Sequence, residues 1–216
     1  GWQQSSDWVS VELDLLPPTI EEIGVGSASR GQAVPILGKG FVGGEYGGTT
    51  VLIVNGAFEL RDGQSVDIPN LELTPAFIDG ENLVFSFQVR YDRPTPSRCE
   101  SGDLGANPGR FAGANISVQT TYQGVTVKGP TIPLNFEVLP TKQVVYLQFL
   151  PAFTDSLRLF GLRNVSRAVI DRVLEVMRRD YAEFNLEVRD IEPSDFIEYS
   201  IVQIGGPDPN GGALFG

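Results

Sequence analysis

Two short runs concentrate oxygen ligands: Asp79-Gly80-Glu81-Asn82 and Asp208-Pro209-Asn210-Gly211. Carboxylate and amide oxygens grouped this closely suit a hard cation such as calcium, which makes Asp79, Glu81, Asp208 and Asn210 the candidate metal ligands. Neither run matches the twelve-residue EF-hand loop, with its ligands at fixed odd positions and its terminal Glu. Asp, Asn and Gly are equally the ordinary residues of turns. The other acids offer less. Glu21-Glu22 and Glu72 lie in strand-like segments where neighbours face opposite sides, so they do not make the carboxyl pair about 5 Å apart that a retaining glycosidase needs. Gly24-x-Gly26 and Gly38-x-Gly40 lack the helix that a phosphate loop opens, and read as turn glycines. Cys99 has no disulfide partner and no CxxC pattern; Arg98 favours its thiolate and Glu100 opposes it. Asn115-Ile116-Ser117 and Asn164-Val165-Ser166 match the glycosylation sequon, which matters only in a secretory setting.

The chain contains no histidine. That removes Ser-His-Asp and Cys-His nucleophile systems, the imidazole base and every zinc site with a His ligand. Carboxylate chemistry or an unaided nucleophile would be left, and the expectation is that the chain as given catalyses nothing. Sixteen basic residues against 27 acids give a net charge of −11, the wrong sign for a nucleic-acid partner. The apolar runs Leu83 to Val89 and Val144 to Leu150 are strand-length and too short to span a bilayer, so no membrane insertion is expected. Met177 is the one methionine, from which the chain is expected to be a processed or excised segment.

Elements that would position these residues follow from periodicity. Trp8 to Leu15 alternates Val9, Val11, Leu13 and Leu15 with polar positions, as a half-buried strand does; Pro17-Pro18 ends it, and Thr19 to Ile23 and Ala33 to Lys39 follow. Thr50 to Val54 closes on Asn55-Gly56, a strong hairpin signal, and Asp62-Gly63 marks a second hairpin between Ala57 to Leu60 and Ser65 to Ile68. Leu83, Phe85, Phe87, Val89 and Tyr91 share one strand face, with Ser86, Gln88 and Arg90 toward water. Asp92 to Gly113 reads as a long surface loop, and Arg93 to Arg110 within it is the best place for a binding role. Asn115 to Tyr122, Val125 to Lys128 and Leu134 to Leu139 complete an antiparallel sandwich. After Pro140 the pattern changes to an almost wholly apolar strand, Val144 to Leu150, as expected for one covered on both faces, then a helix from Val165 to Phe184 capped by Asn164 or Ser166. Helical spacing places Met177 and Tyr181 in its core stripe. Strands Leu186 to Ile191 and Tyr199 to Ile204 come last. The fold class is therefore mostly β with an α/β part: a sandwich over 1–140 and a partial strand-helix-strand-strand unit over 141–216.

The segment from Pro18 to Tyr91, with "PTIEEIGVGSASRGQAVPILGKGFVGG", "TTVLIVNGAF" and "LELTPAF", resembles the IPT/TIG type of immunoglobulin-like domain, which implies an immunoglobulin-like β-sandwich. The order "VVYLQFLP", long helix, "NLEVRDIEP", "EYSIVQIGG" resembles the N-terminal half of a zincin or metzincin catalytic domain. That resemblance implies a parent whose HExxH helix and zinc lie outside this chain, and it transfers no functional residue to any position here. The resulting expectation is a non-catalytic accessory or scaffold segment of a secreted or surface-exposed protein. Its partner is the remainder of its own polypeptide or another protein subunit. A structural or adhesive extracellular subunit with no enzymatic relative is the alternative.

Overall fold

The computed structural model describes residues 15–87 and 108–206. All but the last residue of the expected Trp8 to Leu15 strand, Cys99, most of the Asp92 to Gly113 loop, and the Asp208 and Asn210 candidates lie outside them. The protein is mostly β with a small α/β part.

Two sheets face each other across one core. In the first, β1 (Thr19–Ile23), β3 (Val34–Lys39), β7 (Asn82–Phe85) and β6 (Ala76–Phe77) pair in that order, all antiparallel. The second is built on two long strands, β4 (Thr49–Leu60) and β8 (Gly109–Tyr122), flanked by β5 (Ser65–Leu73) on one side. On the other side β8 meets β9 (Val125–Lys128), β10 (Ile132–Leu134) and β11 (Glu137–Val138), and β11 pairs in parallel with β2 (Ser27–Ala28). Alternation decides which residues enter the core: Val34 and Ile36 from β3, Leu83 and Phe85 from β7, Leu52, Val54 and Phe58 from β4, and Ile116 and Val118 from β8 form one buried cluster. Apolar burial at roughly 25 cal/mol per Å² is the main force holding such sheets together.

Asn55-Gly56 is not a hairpin turn. β4 runs straight through it, and both neighbours bulge opposite it: β5 sets two residues against Asn55 between the Val54↔Leu71 and Gly56↔Ile68 pairs, and β8 sets two against Gly56. Gly56 has φ +140°, and a Cβ there would lie 2.5 Å from the Ala114 Cα. Glycine is thus demanded by the bulge, the other setting in which a strand carries one. Asp62-Gly63 does form the expected hairpin, with the Gly63 N–H donating to the Leu60 carbonyl at 3.0 Å.

Other expectations shift in detail. Residues 109–113, assigned to the surface loop, begin β8, and Phe111 is buried against Phe58 with ring centroids 5.1 Å apart. Ser86, expected toward water, is buried, and its hydroxyl has no partner among the described residues. Leu134 to Leu139 divides into β10 and β11. Gly38 is no turn glycine: it lies inside β3, where a Cβ would meet the Thr19 carbonyl oxygen at 1.9 Å.

The α/β part is a three-stranded parallel sheet with β12 (Gln143–Phe149) between β13 (Leu186–Arg189) and β14 (Ser200–Ile204). Between β12 and β13 the chain makes two helices, α1 (Pro151–Leu159) and α2 (Ser166–Asp180). Only one helix is expected from the sequence, so α1 is a correction. Pro151 at its start is well placed, since the missing N–H would be unsatisfied there anyway. The expected Asn164 or Ser166 cap is absent too: Val165 precedes α2 and no side chain caps it. Leu174 of α2 packs on Val145, Leu147 and Val188, with Ile170, Val173 and Met177 beside it. Tyr181 lies past the helix end and is 43% exposed, so it is not core.

Candidate functional site

The crossover from β13 to β14, residues 190–199, ties the α/β part to the sandwich. Phe196 forms a bridge with Gln32, the Ala33 N–H donates to the Asp195 carbonyl at 2.8 Å, and the Gly31 carbonyl accepts the N–H groups of Ile197 at 2.7 Å and Glu198 at 3.3 Å. Gly31 permits this approach. Its φ is +74°, and a Cβ would sit 2.8 Å from the Glu198 Cβ. Phe196 is buried at the contact, with the Arg189 guanidinium 5.6 Å from its ring centre, a cation–π geometry.

Charge pairs surround the dock. Arg30 bonds Glu198 at 3.2 Å, Lys142 bonds Glu187 at 3.0 Å, and Arg189 joins Glu187 at 2.7 Å to Asp195. Hydrogen bonds from Arg189 hold the Asp195 carboxyl below the usual carboxylate range, and Arg189, then Lys142, do the same for Glu187. Asp195, then Glu187, raises the Arg189 pKa in turn. Both carboxyls are lower in the folded than in the unfolded chain. Their contribution to stability is therefore complete above about pH 5 and is lost as pH falls through the lowered values. Asp195→Asn is expected to lower the thermal midpoint at pH 7 and to match the parent chain near pH 2, which parallel melts across that range would check. A deficit that stays constant with pH would mean the contact acts by packing alone.

Beside the dock lies a cleft of about 360 Å³, where Arg30 of the sandwich faces Lys142, Gln143, Val144, Glu198 and Ser200 of the α/β part. Val144 is buried.

The two edges of the parallel sheet differ. On β13, the Arg178 guanidinium of α2 donates to the Val188 carbonyl at 2.9 and 3.3 Å, blocking the ladder there. On β14, no strand pairs with the outer edge among the described residues. That strand reads Ser-Ile-Val-Gln-Ile, with no charge, proline or bulge, and Ile201 and Val202 are 53% and 42% exposed. Natural edge strands are ordinarily blunted by one of those devices. Leu159 at the end of α1 and Phe160, Leu162 and Val165 between α1 and α2 are exposed as well.

Among the sequence candidates, Asp79 and Glu81 stand in the turn between β6 and β7. Asp79 Oδ1 accepts the Glu81 N–H at 2.8 Å and the Asn82 Nδ2 at 2.7 Å, and Oδ2 accepts Asn82 at 2.9 Å. These donors, the Glu81 N–H first, hold the Asp79 carboxyl below its ordinary range. The arrangement is an Asx-type turn that already occupies both oxygens. Among the described residues no group of three or more His, Cys, Asp or Glu side chains is placed to hold a metal. Glu21 and Glu22 are both exposed, because a register irregularity in β1 interrupts the strict alternation, and Glu21 pairs with Lys39 at 2.8 Å. Asn115 is within β8 and Asn164 on the exposed turn before α2. Sequence reasoning passed over Arg30, Gly31, Lys142, Arg178, Phe196 and Glu198. The uncharged run in β14 was visible, but that no strand pairs with its outer edge among the described residues was not.

No helix among the described residues is long and apolar enough to cross a membrane. No protein-family model matches the chain, and no curated protein matches it. Among solved structures the chain is similar to a DUF4784 family protein from Bacteroides caccae, at 10% identity and a TM-score of 0.30, over 61% of this chain and 26% of that one. The chain thus spans about a quarter of that protein's length, and a likeness this shallow carries no argument about function.

Proposed function

We infer that the chain is a non-catalytic accessory or scaffold segment of a secreted or surface-exposed protein. Its sandwich carries the α/β part, and the α/β part docks the remainder of its own polypeptide or another protein subunit. The outer edge of β14, unpaired among the described residues, is the observation that supports this reading best: an uncharged strand with exposed Ile201 and Val202. A row of unpaired backbone N–H and C=O groups is satisfied most fully by one more strand. Three strands and a helix pair also bury little by themselves. The resemblance of this part to the start of a zincin domain agrees with a parent that brings zinc and its histidines from elsewhere. In this chain the residue types oppose such a centre. A hydrolytic zinc takes three protein ligands and a water, and carboxylates, the donors this chain is rich in, prefer hard ions.

The purified chain is accordingly expected to hold no stoichiometric zinc after dialysis and to leave casein intact. Elemental analysis together with a casein digest checks this. One tightly held zinc per chain, or hydrolysis by the metal-free protein, would overturn the non-catalytic reading.

A further inference from the structure

We propose that β14 pairs edge to edge and antiparallel with β14 of a second copy of this chain, joining the two parallel sheets into one continuous sheet. This rests on the reading above that β14 accepts one more strand, and fixes which strand that is. The Leu150 N–H donates to the Ile204 carbonyl at 2.9 Å, so Ile204 turns its backbone groups toward β12. Backbone groups alternate between the two edges of a strand. Ser200 and Val202 therefore also face β12, and the N–H and C=O of Ile201 and Gln203 point outward, where no strand pairs with them among the described residues. Ser200 to Gln203 are all exposed.

The outward groups lie symmetrically about Val202. Antiparallel pairing about a two-fold axis there sets Ile201 opposite Gln203 of the second copy, and Gln203 opposite its Ile201, each pair exchanging two N–H···O=C bonds. Every outward group of both copies is then satisfied. Val202 faces its counterpart in the intervening non-hydrogen-bonded pair, where side chains approach most closely. Self-pairing brings identical residues together, so a charge at the axis would meet its like; β14 carries none, on a chain whose net charge is −11. Recognition of a foreign strand is ordinarily specified by complementary charge, for which β14 offers no counterpart. Antiparallel pairing also keeps the two chains apart. The sandwich is docked just before Ser200, through Phe196 to Glu198, so the two sandwiches sit beyond opposite ends of the pair. Five residues at roughly 3.4 Å each put those ends about 17 Å apart, beyond the Debye length of about 8 Å at physiological salt. At the other edge of the sheet the Arg178 guanidinium occupies the Val188 carbonyl. Growth is thus confined to β14, and an isologous contact on one edge closes as a dimer rather than a fibre. So short a contact is weak, with a dissociation constant on the order of 0.1 mM; the dilute chain is a monomer whose edge is open.

Sedimentation velocity and amide hydrogen exchange of the full chain, from micromolar to millimolar concentration, test this. The chain should pass from monomer to dimer, and the outward amides of Ile201 and Gln203 should become protected over the same range. Val202→Lys and Val202→Glu each set like charges against each other at the axis, and each should weaken dimerisation by about tenfold or more. An equimolar mixture of the two should restore it, because residue 202 meets residue 202 only in this register. Val202 is 42% exposed, so neither variant buries a charge, and helical circular dichroism checks that each keeps the fold. A chain that stays monomeric at millimolar concentration while the outward amides exchange fast would overturn the proposal and leave the strand-addition reading standing. Slow exchange of those amides in a monomer would overturn both. A dimer that Val202→Lys leaves intact, or two weakened variants that fail to rescue each other, would place the contact elsewhere and overturn the proposal as well.

Discussion

Phe87→Ala is expected to cost about 3 to 5 kcal/mol, the range for removing a buried aromatic ring. Phe87 is 3% exposed, and its ring meets Phe85 edge-on at 4.9 Å and Phe136 at 5.8 Å. Phe85 belongs to the four-stranded sheet, while Phe136 lies between two strands of the other, so the ring fills space between the layers. Its carbonyl also accepts the Gly31 N–H at 2.9 Å, which links the sandwich core to the dock. A cavity left there cannot be filled by one neighbour without disturbing the other sheet. Chemical denaturation of the variant would measure the loss. An unchanged midpoint would mean that Phe87 is not a core residue.

Gly31→Val is expected to separate the two parts. A β-branched side chain at φ +74° carries about 1 to 3 kcal/mol of backbone strain, and its Cβ would meet the Glu198 Cβ at 2.8 Å and the Glu198 carbonyl oxygen at 3.1 Å. The cheapest relief is to move residues 195–198 away, which loses the hydrogen bonds to Gly31 and Ala33 and exposes Phe196. Among the described residues α-helix is confined to α1 and α2, so far-ultraviolet circular dichroism at the helical bands follows the α/β part. The strand bands, to which the sandwich contributes most of the strand residues, follow the sandwich. In the variant the helical signal should melt first. Coincident melting at the parent midpoint would show that the dock contributes nothing.

Much of the strand layout was legible because period 2 is a direct consequence of strand geometry. Leu83, Phe85 and Phe87, all buried, could be read that way. The signals that failed were those with two physical causes. Asn55-Gly56 gives a turn where a hairpin closes, but glycine is equally required where two neighbouring strands bulge, and the choice rests on β5 and β8, which no local window contains. The helix at Pro151–Leu159 was overlooked because a proline after an apolar run reads as a stop, although proline also begins helices. The dock could not be read at all. Gly31 and Phe196 are far apart in the chain, and neither carries a mark of the other. Asp79-Gly80-Glu81-Asn82 left a turn and a ligand set open together, since both use the same residues. It is the N–H groups of Glu81 and Asn82 that make this one a turn.

The outer edge of β14, unpaired among the described residues, carries the functional account, and amide hydrogen exchange of Ser200–Ile204 tests it most directly. In the isolated chain, the N–H groups that face β12 should exchange slowly while the alternate, outward N–H groups exchange nearly as fast as in a loop. Uniformly slow exchange along β14 would contradict the account, because it would mean that a strand already occupies the edge.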